Sequence, residues 1–464
     1  MRYSIIQKSR LEKTLRLDAE YFQMQKILDK IFNLNNISVS EIAEWVTQGP
    51  NPIFSTVGMP CLTGRNISKG EVVFQNSDLV SEEEYEKLKR FKILEGDILM
   101  TLKGFGSTGK VALYTSEKKA IFSRNLGLIR LKDQEVTKEL LFAFLASRLG
   151  QKIIDRGVTG GTGQLTLPTA YLKKLKIPKF GRSFISAITH LVIQSQNKYR
   201  DSNLFYSQAE QILLQEIGFE NFQSEEKNSY IINLSEVQES NRMDAEYFQP
   251  KYEEIIEKIK KYRGGYDRLE NLVRVKDEDF IPEDNERYRY IELANISANG
   301  EVFGFTENLG RELPLRARRQ LQKGDLIISS IEGSLESIAL ITEDWKNVLC
   351  STGFFTVSPE KINVETLLVF LKTTIGQLQL KKGCRGTILT AINRDELSKI
   401  ILPRIDSESQ KKVKVKVSEM YKTKKLSKRL LEIAKRGVEM AIEKNEKEAE
   451  KWIHQELARL DIKL

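Results

Sequence analysis

The stretch GFGSTGKVAL, which begins at Gly104, contains the residue types and spacing of a phosphate-binding loop. Gly104, Gly106 and Gly109 satisfy G-x-G-x-x-G, and Lys110 satisfies G-x-x-x-x-G-K-[ST] up to its last position. That position is Val111, which has no hydroxyl to hold a magnesium ion on a nucleotide. A β-type run follows where a dinucleotide fingerprint requires a helix. A glycine-rich turn between two strands therefore fits better than a nucleotide site.

Other residue types that carry chemistry are sparse. The chain has two histidines, His190 and His454, and each lies in a stretch with helical spacing. The acidic runs at Glu82 and Glu283 are typical of solvated faces, and the H-E-x-x-H and G-x-S-x-G motifs do not occur. The sequence also lacks the [DNS]-P-P-[YFW] motif of amino-methyltransferases. We therefore expect no catalytic centre, no bound metal and no cofactor on this polypeptide.

Composition limits the class of protein. The 464 residues allow about three domains, and the net charge of +9 suits an acidic polymer as partner or a merely basic surface. Three cysteines, Cys61, Cys350 and Cys384, have the spacing of neither a disulfide framework nor a zinc ribbon, which favours a reducing cytoplasm. No signal-peptide core and no apolar run of about twenty residues is present, so we expect a cytoplasmic protein without membrane contact.

The chain repeats itself once. RLDAEYFQ from Arg16 recurs as RMDAEYFQ from Arg242, and NISKGEV from Asn66 recurs as NISANGEV from Asn295. Later pairs follow in the same order: LEGDIL and QKGDLI, then G-Q, G-T and a closing (I/L)-P. This pattern indicates a tandem duplication.

The duplication bears on the glycine-rich stretch. GFGSTGKVAL aligns with EGSLESIALI from Glu332, in which the phosphate pattern is absent. What both copies keep is a Gly-Ser turn flanked by β-type residues. A shared scaffold with a divergent loop tip is how a binding site changes its target.

Each copy is predicted to be a mixed globule followed by a long helix, an α/β (α+β) fold. Apolar residues at spacings of three and four begin at Phe184 and again at Val413, as expected for helices that pack on a partner. A two-fold axis between the halves would set these helices antiparallel. The predicted segments are a first globule 1–182, a central helix 183–225, a second globule 226–406, and a distal helix with tail 407–464.

Together, these features resemble the specificity subunit of a type I restriction-modification system. They are the repeated D-A-E-Y-F-Q, the G-D strand that leads to G-S, the G-T loop ahead of Pro178 or Pro403, and the two long helices. The resemblance covers nearly the whole chain. It implies two target recognition domains, each reading one half of a split site in double-stranded DNA, separated by a coiled coil that acts as a ruler. It also implies two methyltransferase subunits and restriction subunits as partners, which carry the chemistry.

Base and phosphate contacts need directional donors and acceptors on exposed loops. Two loops in each copy meet this requirement. The candidates in the first copy are Lys103, Ser107, Thr108, Lys110, Thr159, Thr162 and Gln164. Those in the second copy are Ser330, Glu332, Ser334, Glu336, Arg385, Thr387 and Thr390. Arg65 and Asn66 are weaker candidates, because the second copy keeps only the asparagine.

Identity between the copies argues against sequence readout for the D-A-E-Y-F-Q motif. Its residues could pack within the chain or dock two identical partner subunits; the docking candidates are Asp18, Tyr21, Phe22, Asp244, Tyr247 and Phe248. The last stretch, from Asn445, places Trp452, Ile453 and Leu457 on one apolar face. It could extend the ruler or dock a partner.

Two alternatives stay open. One is a stand-alone duplicated nucleic-acid-binding protein that needs no methyltransferase. The other is a nucleotide-dependent enzyme that uses the loop at Gly104, which Val111 and the altered second copy both oppose.

Overall fold

A computed structural model describes residues 31, 34–68, 70–104, 106–132, 136–160, 165–223, 227–276, 278–386 and 389–462. The expectations for six residues fall outside these ranges: Asp18, Tyr21, Phe22, Thr162, Gln164 and Thr387. The chain divides into two compact units. Unit one comprises Met1–Tyr199 and Lys425–Leu464, and unit two comprises Arg200–Lys424. Each unit thus combines a globule with part of each long helix, and the segment boundaries drawn from the sequence remain predictions.

The globule of unit one contains twelve strands and five short helices among its described residues. In chain order these are β1 Asn36–Ser38, α1 Val39–Ile42, β2 Ala43–Gln48, β3 Phe54–Ser55, β4 Met59–Leu62, β5 Ile67–Ser68, β6 Glu71–Val72, β7 Asp78–Val80, α2 Glu82–Lys87, β8 Ile98–Thr101, β9 Val111–Leu113, β10 Ile121–Phe122, β11 Leu126–Leu131, α3 Lys138–Ala146, α4 Arg148–Gly157, α5 Thr169–Lys174 and β12 Lys176–Pro178. Short 3-10 helices span Gly64–Asn66 and Lys89–Phe91. The long helix α6, Arg182–Glu216, follows.

Unit two has a similar, not identical, order of elements. It contains α7 Leu234–Ser240, α8 Pro250–Lys260, β13 Tyr266–Arg268, β14 Val273–Lys276, β15 Arg287–Ile291, β16 Thr306–Leu309, β17 Ala317–Gln320, β18 Leu326–Ser329, β19 Ile338–Leu340, β20 Val348–Ser351, β21 Phe354–Pro359, α9 Val364–Lys372, α10 Thr374–Lys382, β22 Cys384–Arg385, β23 Ala391–Ile392, α11 Arg394–Ser398 and β24 Ile401–Pro403. Its 3-10 helices are Leu269–Asn271, Leu293–Asn295, Gly310–Glu312 and Glu332–Ser334. The second long helix α12, Ser407–Glu443, and the helix α13, Glu446–Ala458, end the chain.

Corresponding strands form corresponding sheets in the two units. An antiparallel sheet has the order β2-β11-β8-β9 in unit one and β14-β21-β18-β19 in unit two. A second sheet contains the neighbours β10-β4-β7 in unit one and β20-β15-β16 in unit two, with β10 parallel to β4 and β20 parallel to β15. Its fourth strand differs, because β3 joins β7 in unit one whereas β17 joins β20 in unit two. The mixed helix and strand content predicted from the sequence is confirmed.

The repeated G-D motif forms the same turn in both units. The carboxylate of Asp97 accepts a hydrogen bond from the Leu94 amide at 2.7 Å, and that of Asp325 accepts one from the Gln322 amide at 2.8 Å. Each aspartate is buried and paired with a cation, Arg130 at 2.7 Å and Lys276 at 2.8 Å. Because a buried carboxylate needs such partners, the motif is part of the scaffold.

The two long helices run antiparallel within each unit. In unit one the Ser195 hydroxyl donates to the Ser427 carbonyl at 2.8 Å and the Ser427 hydroxyl donates to the Ser195 carbonyl at 2.7 Å. In unit two the Glu216 carboxylate near the end of α6 accepts from the Ser409 hydroxyl near the start of α12 at 3.0 Å. No helix in the described part of the chain has the length and hydropathy needed to cross a membrane.

The stretch after Glu443 forms a separate helix and does not extend α12. The Asn445 side chain caps α13 by accepting from the Glu448 amide at 2.9 Å. Ile453 and Leu457 are fully buried in the core of unit one, and Trp452 is half-buried against that core. The apolar face of this helix therefore has a partner within the chain, which leaves Ile453 and Leu457 no surface for docking another subunit.

Candidate nucleic-acid interface

The candidate loops of unit one lie at one edge of its antiparallel sheet. Gln48, the last residue of β2, pairs with Gly127 near the start of β11. Thr101, the last residue of β8, pairs with Leu126, the first residue of β11. We call the described residues beyond these strand ends, those within 103–110, 123–125 and 158–166, the loop edge of unit one.

The loop 103–110 is a turn between β8 and β9. The Gly109 amide donates to the Thr101 carbonyl at 2.8 Å, and the Thr101 amide donates to the Lys110 carbonyl at 2.9 Å. Gly104, Gly106 and Gly109 have φ values of +139°, +68° and +87°, a region that favours glycine. The glycines thus serve the turn, and the element that follows them is a strand rather than the helix a nucleotide loop requires.

The second loop of unit one is paired with the first. Thr166 bridges both Lys103 and Thr159, and the Leu167 amide donates to the Leu102 carbonyl at 2.8 Å. The structure therefore brings Lys103 and Thr159, which are distant in sequence, to one place.

The corresponding loops of unit two, residues 330–336 and 384–391, are also joined. The Glu332 amide donates to the Thr390 carbonyl at 3.0 Å, and the Ile392 amide donates to the Ser330 carbonyl at 2.8 Å. Arg385 in β22 pairs with Ala391 in β23. With the connecting residues 351–353, these loops form the loop edge of unit two.

Several candidate side chains are already engaged inside the chain. The Thr108 hydroxyl donates to the Gly104 carbonyl at 2.8 Å, and the Ser330 hydroxyl donates to the Gly353 carbonyl at 2.9 Å. The hydroxyls of Ser334 and Ser329 lie 2.8 Å apart. Arg385 forms a 2.7 Å ion pair with the nearly buried Glu396. These four candidates are constrained by their intramolecular contacts.

The remaining candidates differ in charge between the units. Lys103 and Lys110 have no ion-pair partner among the described residues, and Lys110 is exposed. At the corresponding loop of unit two stand Glu332, half-buried, and Glu336, exposed. The loop edge of unit one thus offers cationic donors where that of unit two offers carboxylate acceptors.

A glutamine fastens each loop to the scaffold, and the sequence interpretation did not assign it. The Gln151 amide nitrogen donates to the Gly109 carbonyl at 3.1 Å and to the Leu145 carbonyl at 2.9 Å. The Gln377 nitrogen donates to the Leu335 carbonyl at 3.3 Å and to the Leu371 carbonyl at 2.8 Å. The repeated Gly-Gln pair in the sequence was the signal that could have found them.

The D-A-E-Y-F-Q motif of unit two packs under the loop edge. Arg242 makes two hydrogen bonds to Asp244, at 2.7 and 2.9 Å, and these hold the pKa of Asp244 below its usual value. The same guanidinium donates to the Cys384 carbonyl at 2.8 Å and lies 4.3 Å from the centre of the Tyr247 ring. Phe248 is half-buried with its ring edge-on to Tyr247. The contacts named here are all intramolecular, and whether this copy also docks a partner subunit stays a prediction.

The weaker candidates Arg65 and Asn66 also have structural partners. Arg65 forms an ion pair with Asp78. The Asn66 side chain accepts from the Thr63 amide at 2.8 Å, just as Asn295 accepts from the Glu292 amide at 2.9 Å. In the described ranges no three His, Cys, Asp or Glu side chains are grouped as a metal site would require.

Comparison with known proteins gives one family match. Residues 58–179 match the model of the type I restriction modification DNA specificity domain. This segment contains the loops 103–110 and 158–166 of unit one. No curated protein sequence matches the chain.

Solved structures of type I restriction-modification systems resemble the chain at low identity. The S subunit from M. genitalium is 14% identical over 88% of this chain and 96% of its own, with a TM-score of 0.38. The HsdS subunit from Thermoanaerobacter tengcongensis is 14% identical over 89% of this chain and 97% of its own, with a TM-score of 0.28. The match of residues 58–179 to the type I restriction modification DNA specificity domain confirms the resemblance identified in the sequence.

Proposed function

We propose that the protein is the DNA-binding specificity subunit of a type I restriction-modification complex. In this proposal each unit reads one part of a bipartite site in double-stranded DNA. One observation carries the proposal. The family match in unit one, residues 58–179, contains the loop edge, and a corresponding loop edge recurs in unit two. A duplicated scaffold with unlike loop side chains suits a site with two unlike halves.

The side chains at the two loop edges suit different bases. Lys103 and Lys110 can donate to the O6 and N7 atoms of guanine or to phosphate oxygens. Glu332 and Glu336 can accept from the amino group of cytosine. Readers with opposite hydrogen-bonding character would select different half-sites.

The long helices suit the role of a ruler between the two readers. Helix α6 has 35 residues and α12 has 37. At about 1.5 Å per residue they span roughly 52 and 55 Å, more than one DNA turn of about 34 to 36 Å. We propose that methylation and cleavage belong to two methyltransferase subunits and to restriction subunits, which this chain positions on the DNA.

An exchange of one globule tests the proposal. The chain with residues 1–182 replaced by the matching segment of a relative is co-expressed with its methyltransferase subunit, and methylated sites are mapped genome-wide. One half-site should change and the other should remain. A change in both half-sites would contradict independent readers, and a parent protein that directs no sequence-specific methylation and captures no methyltransferase would favour the stand-alone nucleic-acid-binding alternative.

A further inference from the structure

An arginine whose side chain has no partner among the described residues lies at the loop edge of unit one. Arg124 is in the segment 123–125, which connects β10 to β11, and its side chain is exposed. Its guanidinium makes no hydrogen bond or ion pair with any residue that the structure describes. Its backbone is fixed, because the Gln48 side chain donates to the Arg124 carbonyl at 2.6 Å and the Leu102 amide donates to the Asn125 carbonyl at 2.8 Å.

The corresponding segment of unit two, residues 351–353, has Thr352 and no cation. An arginine nevertheless stands there, supplied by another element. Arg316 immediately precedes β17, whose first residue Ala317 pairs with Ser351, the last residue of β20. The Thr352 amide donates to the Arg316 carbonyl at 2.9 Å. The side chain of Arg316 is exposed and has no ion-pair partner within the described ranges.

This placement follows from a difference in the second sheet of the two units. The fourth strand of the second sheet is β17 beside β20 in unit two, whereas in unit one it is β3, on the opposite edge beside β7. In the described part of unit one, that edge of β10 has the isolated bridge of Lys92 with Ile121 in place of a strand, and an arginine stands in the connecting segment itself.

Neighbouring arginines do not share this freedom. Arg130 is paired with Asp97 at 2.7 Å, Arg289 with Glu307 at 3.2 Å, and Arg319 with Asp279 at 2.5 Å. Arg65 is paired with Asp78. An exposed guanidinium that no carboxylate neutralises is available to an external anion.

We propose that Arg124 and Arg316 are equivalent contacts to the DNA phosphate backbone, one for each unit. The inference rests on the proposed function and names a contact that both half-sites share. Side chains that read bases must differ between unlike half-sites, but a phosphate contact carries no sequence and is needed by both. A shared phosphate contact predicts an arginine at equivalent strand ends in both units. Here two different elements supply it, the segment 123–125 in unit one and the residue before β17 in unit two.

The segments 123–125 and 351–353 are hydrogen-bonded to the loops that would read the bases, so a phosphate contact on either segment would affect the position of those loops on DNA. The segment 123–125 bonds the start of loop 103–110 through Leu102, and the Ser330 amide donates to the Gly353 carbonyl at 2.9 Å. A guanidinium can hold two phosphate oxygens at once, which fixes direction as well as position. A phosphate held by either arginine would therefore set the register of the bases beside the neighbouring loop.

The test measures DNA binding of the complex of the full chain with its methyltransferase subunit at several salt concentrations. Arg124→Ala and Arg316→Ala should each reduce the slope of log K against log salt by about 0.9. Each should weaken cognate and non-cognate duplexes by the same factor, with the methylated sequence unchanged. Arg124→Lys and Arg316→Lys should keep the slope, because they keep the charge.

Two exposed arginines at the other ends of the strands serve as matched controls. Arg287 is the first residue of β15, whose last residue leads toward the loop edge. Arg90 precedes Lys92, which bridges Ile121 at the start of β10. Arg287→Ala and Arg90→Ala should leave both the slope and the affinity unchanged.

The outcomes separate this inference from the proposed function. The phosphate contact would be overturned if both alanine variants kept the wild-type slope and affinity. It would also be overturned if a variant recognised a different base with an unchanged slope. Either result would leave the specificity function intact. A wild-type complex without sequence preference would overturn the specificity function, while the slopes on any duplex would still decide the role of the two arginines. The unfolding temperature of each variant is measured as a control. A value equal to that of the wild type shows that the variant is folded.

Discussion

Lys110 is the residue at which the nucleotide and DNA interpretations of the first loop predict different results. Its side chain is exposed, has no ion-pair partner in the described ranges, and precedes Val111 rather than a serine or threonine. We expect Lys110→Ala to weaken DNA binding and to reduce the slope of log K against log salt by about 0.9, the value for one phosphate contact. ATP with magnesium should not raise the unfolding temperature of the isolated chain; a magnesium-dependent shift would restore the nucleotide interpretation.

A second prediction at this scale concerns the last residues of β8 and β18. The Thr101 hydroxyl is buried without a partner in the part of the chain that the structure describes, whereas the equivalent Ser329 hydroxyl lies 2.8 Å from that of Ser334. Replacing an unsatisfied hydroxyl by a methyl group removes an uncompensated desolvation cost. Thr101→Val should therefore be neutral or stabilising by up to about 1 kcal/mol, and Ser329→Ala should cost about 1 kcal/mol. Calorimetric unfolding of both variants is the measurement, and a large loss in Thr101→Val would contradict the contact pattern.

The sequence could predict loops such as 103–110, because glycines between two β-type runs have few other uses. It could not predict that Arg124 is exposed beside Gln48, since that contact depends on the register of β2 and β11. Arg316 was harder still to predict, because the described part of unit one has no strand that corresponds to β17. Contacts made across strands leave no mark in local residue patterns.

At the scale of elements, the long helices were predictable because their apolar spacing continues over many turns. The edge strands β3 and β17 were not, since runs of two and four residues have no resolvable period. The turn after Glu443 was missed for a related reason. The apolar residues of α13 keep a helical spacing, and only the capping by Asn445 reveals that a new helix begins there.

The end of α6 in unit two offers a test of how the long helices are held. The Glu216 carboxylate accepts hydrogen bonds from Tyr262 at 2.7 Å, Arg263 at 2.8 Å and Ser409 at 3.0 Å. These bonds, that from Tyr262 first, lower the pKa of Glu216. A lowered pKa in the folded state stabilises the protein above the unfolded-state pKa of about 4.3, and this stabilisation is lost as the pH falls through the folded value.

Glu216→Gln should thus cost about 1 to 2 kcal/mol at pH 7, and the difference from the wild type should shrink below about pH 4. Denaturant unfolding at a series of pH values gives both quantities. Glu220→Gln, at an exposed glutamate four residues further on, is the control and should have no effect. A cost for Glu216→Gln that stayed constant down to pH 3 would mean that the charge of Glu216 is not what stabilises this junction.

At the scale of the whole molecule, motif order predicts a duplication, but it does not predict which segments make up each compact unit. Each unit takes its helices from two distant parts of the chain, and unit one joins residues before Tyr199 to residues after Lys425. Pairing between helices of remote sequence position depends on tertiary contacts such as the reciprocal bonds of Ser195 and Ser427. The amphipathic pattern predicts that a helix has a partner but not which segment supplies it.

The ruler proposal makes the last prediction. Four residues added near Asn197 lengthen α6 by about 6 Å, close to two base-pair steps of about 3.4 Å, and four residues near Lys422 lengthen α12 to match. Both insertions lie between the contact of Ser195 with Ser427 in unit one and that of Lys416 with the Phe205 ring in unit two, so these two contacts are kept. Four residues are close to one helical turn, and the apolar stripe therefore stays nearly in phase.

The double insertion should keep both half-sites and enlarge the unspecified spacer between them by about two base pairs, as read from genome-wide methylated sites. Either insertion alone should impair folding or activity, because the paired helices would then differ in length. Four residues inserted at Lys444, between α12 and α13, match each single insertion in length without lengthening either long helix and should leave the spacer unchanged. A folded, active double insertion with the parental spacer would show that the helices do not set the distance, and the determinant would then have to lie in the globules.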